Sequence, residues 1–254
     1  MIDLAQLSAA LGTEARRFDA DFLPVCDSTN AVLLARAEAG APTGTIVIAD
    51  AQTHGRGRHG RTWVSGSGDS LTFSLLWRFN TGTVPLGLSL AVGVAVCRSL
   101  SKVGAGATAL KWPNDVMKED GKLAGILVEL LPGKPHVAVI GIGLNLRIPA
   151  GLSDELRAKA VELGLDIDPH HLLAALLSEL RGVLDGFSVD SFAGLRNEWC
   201  KLDAYRDTPV RLLSDFAPAR LGICRGVDDD GALLFESAGK IERVLSGELS
   251  LRAA

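Results

Sequence analysis

The chain has 254 residues, 47% of them apolar and 22% charged, enough to bury a full core in one large domain or two unequal ones. Its formal net charge of −4 argues against a protein that coats DNA or RNA by neutralising phosphates. Cys26, Cys97, Cys200 and Cys224 form no CxxC pair, so no zinc site or disulfide framework is expected, and reduced thiols in a cytoplasm are.

The N-terminus, MIDLAQLSAALGTEARR, has no basic start before an apolar run and does not read as a signal peptide. Residues 27–40, DSTNAVLLARAEAG, predict a helix with polar capping candidates at its start and Gly40 just past its end. GTIVIADAQ (44–52) predicts a strand, which enters the basic, glycine-rich stretch GRGRHGRTW (55–63). Beyond it, SLTFSLLWRF (70–79) puts Leu71, Phe73, Leu75, Trp77 and Phe79 on one side by alternation, the pattern of a strand with one buried face. A loop of about seventeen residues between two strands is long for a compact domain, and such loops are usually functional or disordered. VPLGLSLAVGVAVC (84–97) is too short to span a bilayer and predicts a buried helix, so no membrane is expected.

From 108 the pattern is β again, through KWPNDV, GKLAGILVEL and HVAVIGIGLNLRI, with Asp120-Gly121 as a hairpin turn in a meander of three or four antiparallel strands. Residues 153–188 turn helical, with Asp168 as N-cap and Pro169 at the first helical position, and 191–205 predict one more helix. The last fifty or so residues are short β-prone runs split by Asp, Gly and Pro, with a turn at Asp230-Gly231. The expected architecture is an α+β domain over 1–205 and a small β-barrel-like domain over 206–254.

Several stretches carry chemistry-bearing side chains. Backbone at Gly55, Gly57 and Gly60 can approach a ligand closely, and Arg56, Arg58 and Arg61 offer forked donors for phosphate or carboxylate; a solvated loop is the alternative. In KWPNDV, Asp115 either holds Mg²⁺ or satisfies its own turn. Lys122 is either an edge-strand charge or a buried cation aimed at an anion. GIGLN (141–145) is either a bulge or a place of close backbone approach, and Ser28, Thr29 and Asn30 either cap a helix or bind a small ligand.

Taken in order, STN (28–30), Gln52, GRGRHGR with Trp63, KWPND (111–115), GKLAGILVE (121–129) and GIGLN (141–145) resemble the biotin protein ligases, from about residue 21 to the C-terminus. The resemblance implies a mixed, largely antiparallel sheet flanked by helices, like that of class II aminoacyl-tRNA synthetases, and a C-terminal SH3-like β-barrel. It implies ATP-dependent conversion of biotin to biotinyl-5′-AMP with Mg²⁺, then transfer to a lysine of a biotin carboxyl-carrier domain. By the same resemblance Lys122 and Arg58 are catalytic, and Ser28, Thr29, Asn30, Gln52, Arg56, Gly57, Arg58 and Lys122 bind biotin. Arg56, Arg61, Trp63, Lys111, Asn114 and Asn145 bind the nucleotide, and Asp115 the metal. A mixed anhydride hydrolyses if water reaches it, so the glycine-rich loop is expected to close over it.

His59 stands where some members carry a further arginine and reads as a tolerated filler. Only about twenty residues precede the matching region, so no winged helix-turn-helix and no repressor activity is expected. Family members are often dimers through the sheet, and no residue here settles that for this chain. A lipoate–protein ligase and a biotin-binding module without catalysis are the competing readings; GRGRHGRTW with KWPND speaks against the first, and the presence of Lys122 and Arg58 against the second.

Overall fold

A computed structural model describes residues 2–133, 135–149, 151–214, 218–245 and 249–253. The first part of the chain forms α1 (Leu4–Leu11), β1 (Asp19–Cys26), α2 (Thr29–Glu38), β2 (Thr45–Gln52), β3 (Ser70–Arg78) and α3 (Leu88–Lys102). The meander follows as β4 (Ala109–Lys111), β5 (Asp115–Lys118), β6 (Gly121–Leu131) and β7 (Val137–Asn145). Then come α4 (Asp154–Arg157), α5 (Pro169–Asp190) and α6 (Arg196–Leu202). The C-terminal part holds β8 (Pro209–Ser214), β9 (Arg220–Val227), β10 (Leu233–Ser237), β11 (Lys240–Val244) and β12 (Leu249–Ala253).

The larger sheet runs β1-β2-β3-β7-β6-β5-β4, with β1 and β2 parallel and the remaining pairs antiparallel. One face carries Ile46, Ile48, Phe73, Leu75, Ile140 and Ile142 into the main core beneath α3 and α5. The intervening residues Val47, Leu76 and Val139 pack on the other face with Leu33 and Ala37 of α2. The expectation of one buried face on β3 is therefore corrected. Ser70, Thr72 and Ser74 are buried as well, because α2 and a cleft cover the face that alternation assigned to solvent.

α3 starts later than its apolar run suggests. Gly87 sits at φ 72°, against Phe192, and leaves Val84 and Leu86 exposed outside the helix. The β5–β6 turn is shifted by one residue. Lys118 pairs with Gly121, so Glu119-Asp120 forms the apex, with Glu119 at φ 52°. Gly121 is instead a point of close approach, where a Cβ would lie 2.8 Å from that of Val161.

The helix expected over 153–188 is two helices, α4 and α5, separated by an extended stretch that hydrogen-bonds to the start of β6. Asp168 caps α5 as expected, with Pro169 in its first turn. The helix expected over 191–205 is reduced to a short turn at Phe192–Gly194 and α6. Strands β11-β10-β9-β8-β12 make a five-stranded antiparallel sheet among the described residues, in the part of the chain where a small SH3-like β domain was expected.

Candidate active site

The glycine- and arginine-rich stretch is a folded hairpin. Gly57 N–H donates to the Arg61 carbonyl at 2.7 Å, and Trp63 N–H to that of Gly55 at 2.8 Å. Arg61 N–H closes the tip on the Arg58 carbonyl at 3.2 Å, with His59 at φ 56° and Gly60 at φ 66°. Positive φ at both central residues is the requirement of a type I′ hairpin turn, and His is among the few non-glycine residues enriched there. His59 thus has a backbone reason for its place. Gly55 has another: a Cβ there would lie 2.2 Å from the Trp63 carbonyl oxygen.

The hairpin lays Trp63 across the sheet, over paired glycines of β6 and β7. Gly125 stands opposite Gly143, and a Cβ at Gly143 would be 2.2 Å from the indole. Lys122 Nζ lies 5.7 Å from the Trp63 ring centroid. The Trp63 Nε1–H is buried without an acceptor among the described residues, which suits a site awaiting a ligand. A cleft of about 690 Å³ opens here, and Ser28, Gln52, Arg58, Lys111, Asp115 and Lys122 are among the motif residues that line it, whereas Gly55 and Gly60 do not.

At one end uncharged side chains dominate the contacts. Ser28 begins α2, but its side chain makes no capping bond. Gln52 takes that part: its Oε1 accepts from Thr29 N–H at 2.7 Å and from the Thr29 hydroxyl at 3.2 Å. Ser74 donates to Asn30 Oδ1 at 2.6 Å and lies 2.7 Å from Thr29 Oγ1. Asn30 Nδ2 donates to the Leu127 carbonyl at 3.3 Å and to Glu129 at 2.8 Å, so this amide is held on all sides by protein. Glu129 also pairs with Arg56 at 3.1 Å, tying the foot of the hairpin to β6. Ser74 and Glu129 were missed as site residues. Their signals were the Ser70, Thr72, Ser74 alternation and the last position of GKLAGILVE.

The other end is charged. Asp115, only slightly exposed, sits between Lys111 at 2.9 Å and Lys122 at 2.6 Å. Burial alone would raise its pKa, but the two ammonium groups outweigh it and hold the carboxyl well below the usual range. Lys111 is drawn below the ordinary lysine value by burial, because one carboxylate is shared and Arg252 and Lys122 repel it. Burial likewise lowers Arg58, with the charge of Asp115 opposing. Asp115, expected as a metal ligand, is thus engaged by two cations. Among the described residues no three His, Cys, Asp or Glu side chains gather to hold an ion.

Asn114 and Asn145, expected at the nucleotide, spend their amide N–H groups on backbone. Asn114 Nδ2 donates to the Ile126 carbonyl at 2.9 Å, and Asn145 Nδ2 to the carbonyls of Lys122 and Val161, each at 3.2 Å. Both fix the strand that carries Lys122. Tyr205, just after α6, and Arg211 and Arg252 of the C-terminal sheet also reach the cleft, and nothing in the motifs pointed to them.

Residues 22–145 match the model of the biotin/lipoate A/B protein ligase family. The chain is 40% identical over 238 residues to the bifunctional ligase/repressor BirA of Escherichia coli, covering 91% of this chain and 74% of that protein. It is 34% identical to the biotin–[acetyl-CoA-carboxylase] ligase of Mycobacterium tuberculosis, over 90% of this chain and 87% of that one. The chain belongs to the biotin protein ligase family. The solved biotin protein ligase from Aquifex aeolicus in complex with biotin and ATP superposes with a TM-score of 0.80 at 31% identity, covering 93% of this chain and 99% of that one. As a biotin protein ligase, the chain keeps the site residues from Ser28 to Asn145 inside the matched segment, whereas Tyr205, Arg211 and Arg252 fall outside it.

Proposed function

We propose that this chain activates biotin with ATP and transfers it to a lysine of a biotin carboxyl-carrier domain of the acetyl-CoA carboxylase type. A biotin carboxylate oxygen bonds to the α-phosphorus of ATP and pyrophosphate leaves; the carrier lysine's amine then bonds to the acyl carbon and AMP leaves. The observation that carries the reading is the single cleft with an uncharged polar end at Ser28, Thr29 and Gln52, backed by Ser74, and a cationic end at Lys111, Lys122 and Arg58. Bringing a carboxylate against a polyphosphate joins two anions, and the cationic end supplies preorganised charge where they meet.

In this reading Ser28, Thr29 and Gln52 receive the uncharged head of biotin, with Asn30 and Arg56 braced beneath by Glu129. Lys122 reaches the carboxylate and the α-phosphate, and Arg58 and Arg61 close over the phosphates. Gly57 gives the loop its close approach, Trp63 separates the two ligands and stacks on adenine, and Lys111 faces the nucleotide. Mg²⁺ arrives on ATP as part of that substrate. The cleft offers it Asp115, whose oxygens here bind two lysines, so phosphate oxygens rather than a protein cage carry the ion.

The catalytic domain is assigned to 1–205 and the C-terminal domain to 206–254. A cytoplasmic enzyme without a DNA partner accords with the four unpaired cysteines and the acidic net charge. Among the described residues no helix is long and apolar enough to cross a membrane.

Incubation with labelled biotin, ATP·Mg and a carrier domain tests the reading. Label should move to the carrier only when its acceptor lysine is present. Transfer of lipoate in place of biotin would overturn the substrate assignment, and saturable biotin binding without ATP-dependent transfer would reduce the protein to a binding module.

A further inference from the structure

Lys111 is the one buried lysine among the described residues, and the chain on either side of it is held by segments distant in sequence, the stretch after α6 on one side and the C-terminal sheet on the other. Before it, the Leu110 carbonyl accepts from Ala204 N–H at 2.8 Å, and Leu110 pairs with Asp203 in a parallel bridge that covers the β4 edge. After it, Trp112 is fully buried and its Nε1–H donates at 3.1 Å to the Gly231 carbonyl, 119 residues away in the β9–β10 turn. That turn is tightly seated. A Cβ on Gly231 would lie 2.8 Å from Gly87 Cα and 2.9 Å from Leu90, at the start of α3. From the same helix, Ser89 donates to the Pro113 carbonyl at 3.2 Å.

Positions 110, 112 and 113 are therefore each pinned, and Lys111 projects between them to Asp115, which it shares with Lys122. A tryptophan used only to fill space needs its ring, for which phenylalanine would nearly serve. Here the N–H is also used, and its acceptor belongs to the part of the chain that brings Arg211 and Arg252 to the same end of the cleft.

We propose that Trp112, through its bond to the Gly231 turn, is a positioning residue that couples the C-terminal sheet to the nucleotide end of the cleft. The proposal rests on the reading of that end as the ATP site. It separates the two substrates, because the Thr29 and Gln52 end has no contact with the Gly231 turn among the hydrogen bonds described above.

The test uses the full chain with Trp112→Phe and, separately, Ser89→Ala, which removes the neighbouring bond at an exchange that favours helix. Loss of a buried hydrogen bond with its acceptor left unpaired should raise KM for ATP·Mg about tenfold in Trp112→Phe and about threefold in Ser89→Ala. Calorimetric affinity for biotin alone should stay within about twofold, as expected for distant sites. A folded Trp112→Phe with unchanged KM for ATP·Mg, or with equal losses for biotin and ATP·Mg, overturns the coupling. If Trp112→Phe does not fold, an unchanged KM in Ser89→Ala overturns it. Should the unsubstituted protein show no biotin-dependent ATP–pyrophosphate exchange, the catalytic reading fails by itself. Equilibrium binding of ATP·Mg to the same variants then still decides the coupling.

Discussion

At one end of the cleft Thr29, Asn30, Gln52 and Ser74 hold one another by uncharged hydrogen bonds, while at the other Lys111, Asp115 and Lys122 are held by charge, with Trp63 between. The first group is braced before any ligand arrives, so it selects by shape and hydrogen-bond geometry and should be insensitive to salt. The second has two ammonium groups on one carboxylate, so an anion supplies what the protein leaves out. The contrast orients a ligand that is neutral at one end and anionic at the other.

Removing the charge that serves both substrates should break the contrast most severely. Lys122→Ala should lower biotin-dependent pyrophosphate exchange by about 10²–10³-fold while circular dichroism stays unchanged; near-normal exchange would falsify its catalytic role. Asp115→Asn leaves the buried Lys111 ammonium and the partly exposed Lys122 ammonium without their carboxylate and should cost about 3 kcal/mol in urea unfolding at pH 7. The sign with pH follows from the lowered value of the Asp115 carboxyl. Its stabilisation is present above its ordinary value of 3.8 and is lost as pH falls toward the lower folded-state value. The unsubstituted protein should therefore lose stability on the acid side more steeply than Asp115→Asn. Parallel acid profiles would show that the cluster does not stabilise the fold.

Arg58→Gly should still form biotinyl-5′-AMP but release it about tenfold faster, the effect of one lost charge-assisted hydrogen bond, as measured by intermediate retained on gel filtration. Retention equal to that of the unsubstituted protein removes the closing role of the hairpin. Ser74→Ala tests the uncharged end. It should weaken biotin binding by about 1 kcal/mol, with KM for ATP·Mg unchanged and no dependence on ionic strength. A salt-dependent loss, or one shared with ATP, would blur the division between the two ends. The smallest effect belongs to His59, where Gly should leave thermal stability within about 0.5 kcal/mol and Val should cost about 1 kcal/mol, since the position demands positive φ.

Much of the site is legible because its chemistry is local in the chain. The arginines of GRGRHGR, the Lys111 and Asp115 pair and Lys122 lie within short motifs, and the strands that carry them announce themselves by β-branched runs and glycine turns. What escaped notice was long-range. Ser70, Thr72 and Ser74 alternate with apolar residues as a solvent face would, and only α2 packing above them makes that face a cleft. Glu129 reads as the end of a strand until Asn30, 99 residues earlier, is found donating to it. The one-residue slip at Glu119-Asp120 arose because Asp120-Gly121 looks like a turn, whereas Gly121 is required by the approach of Val161.

The sequence by itself determined the order of elements, the family and the residues that carry charge to the cleft, since these follow from side-chain type and spacing along the backbone. Only the tertiary structure decided which of them touch. It set Asp115 between two lysines, Asn114 and Asn145 as braces for the Lys122 strand, and Trp112 against Gly231. The reason is physical: hydrogen bonds and ion pairs depend on ångström-scale distances. Between segments a hundred residues apart, those distances come from sheet register and helix packing rather than from local propensity.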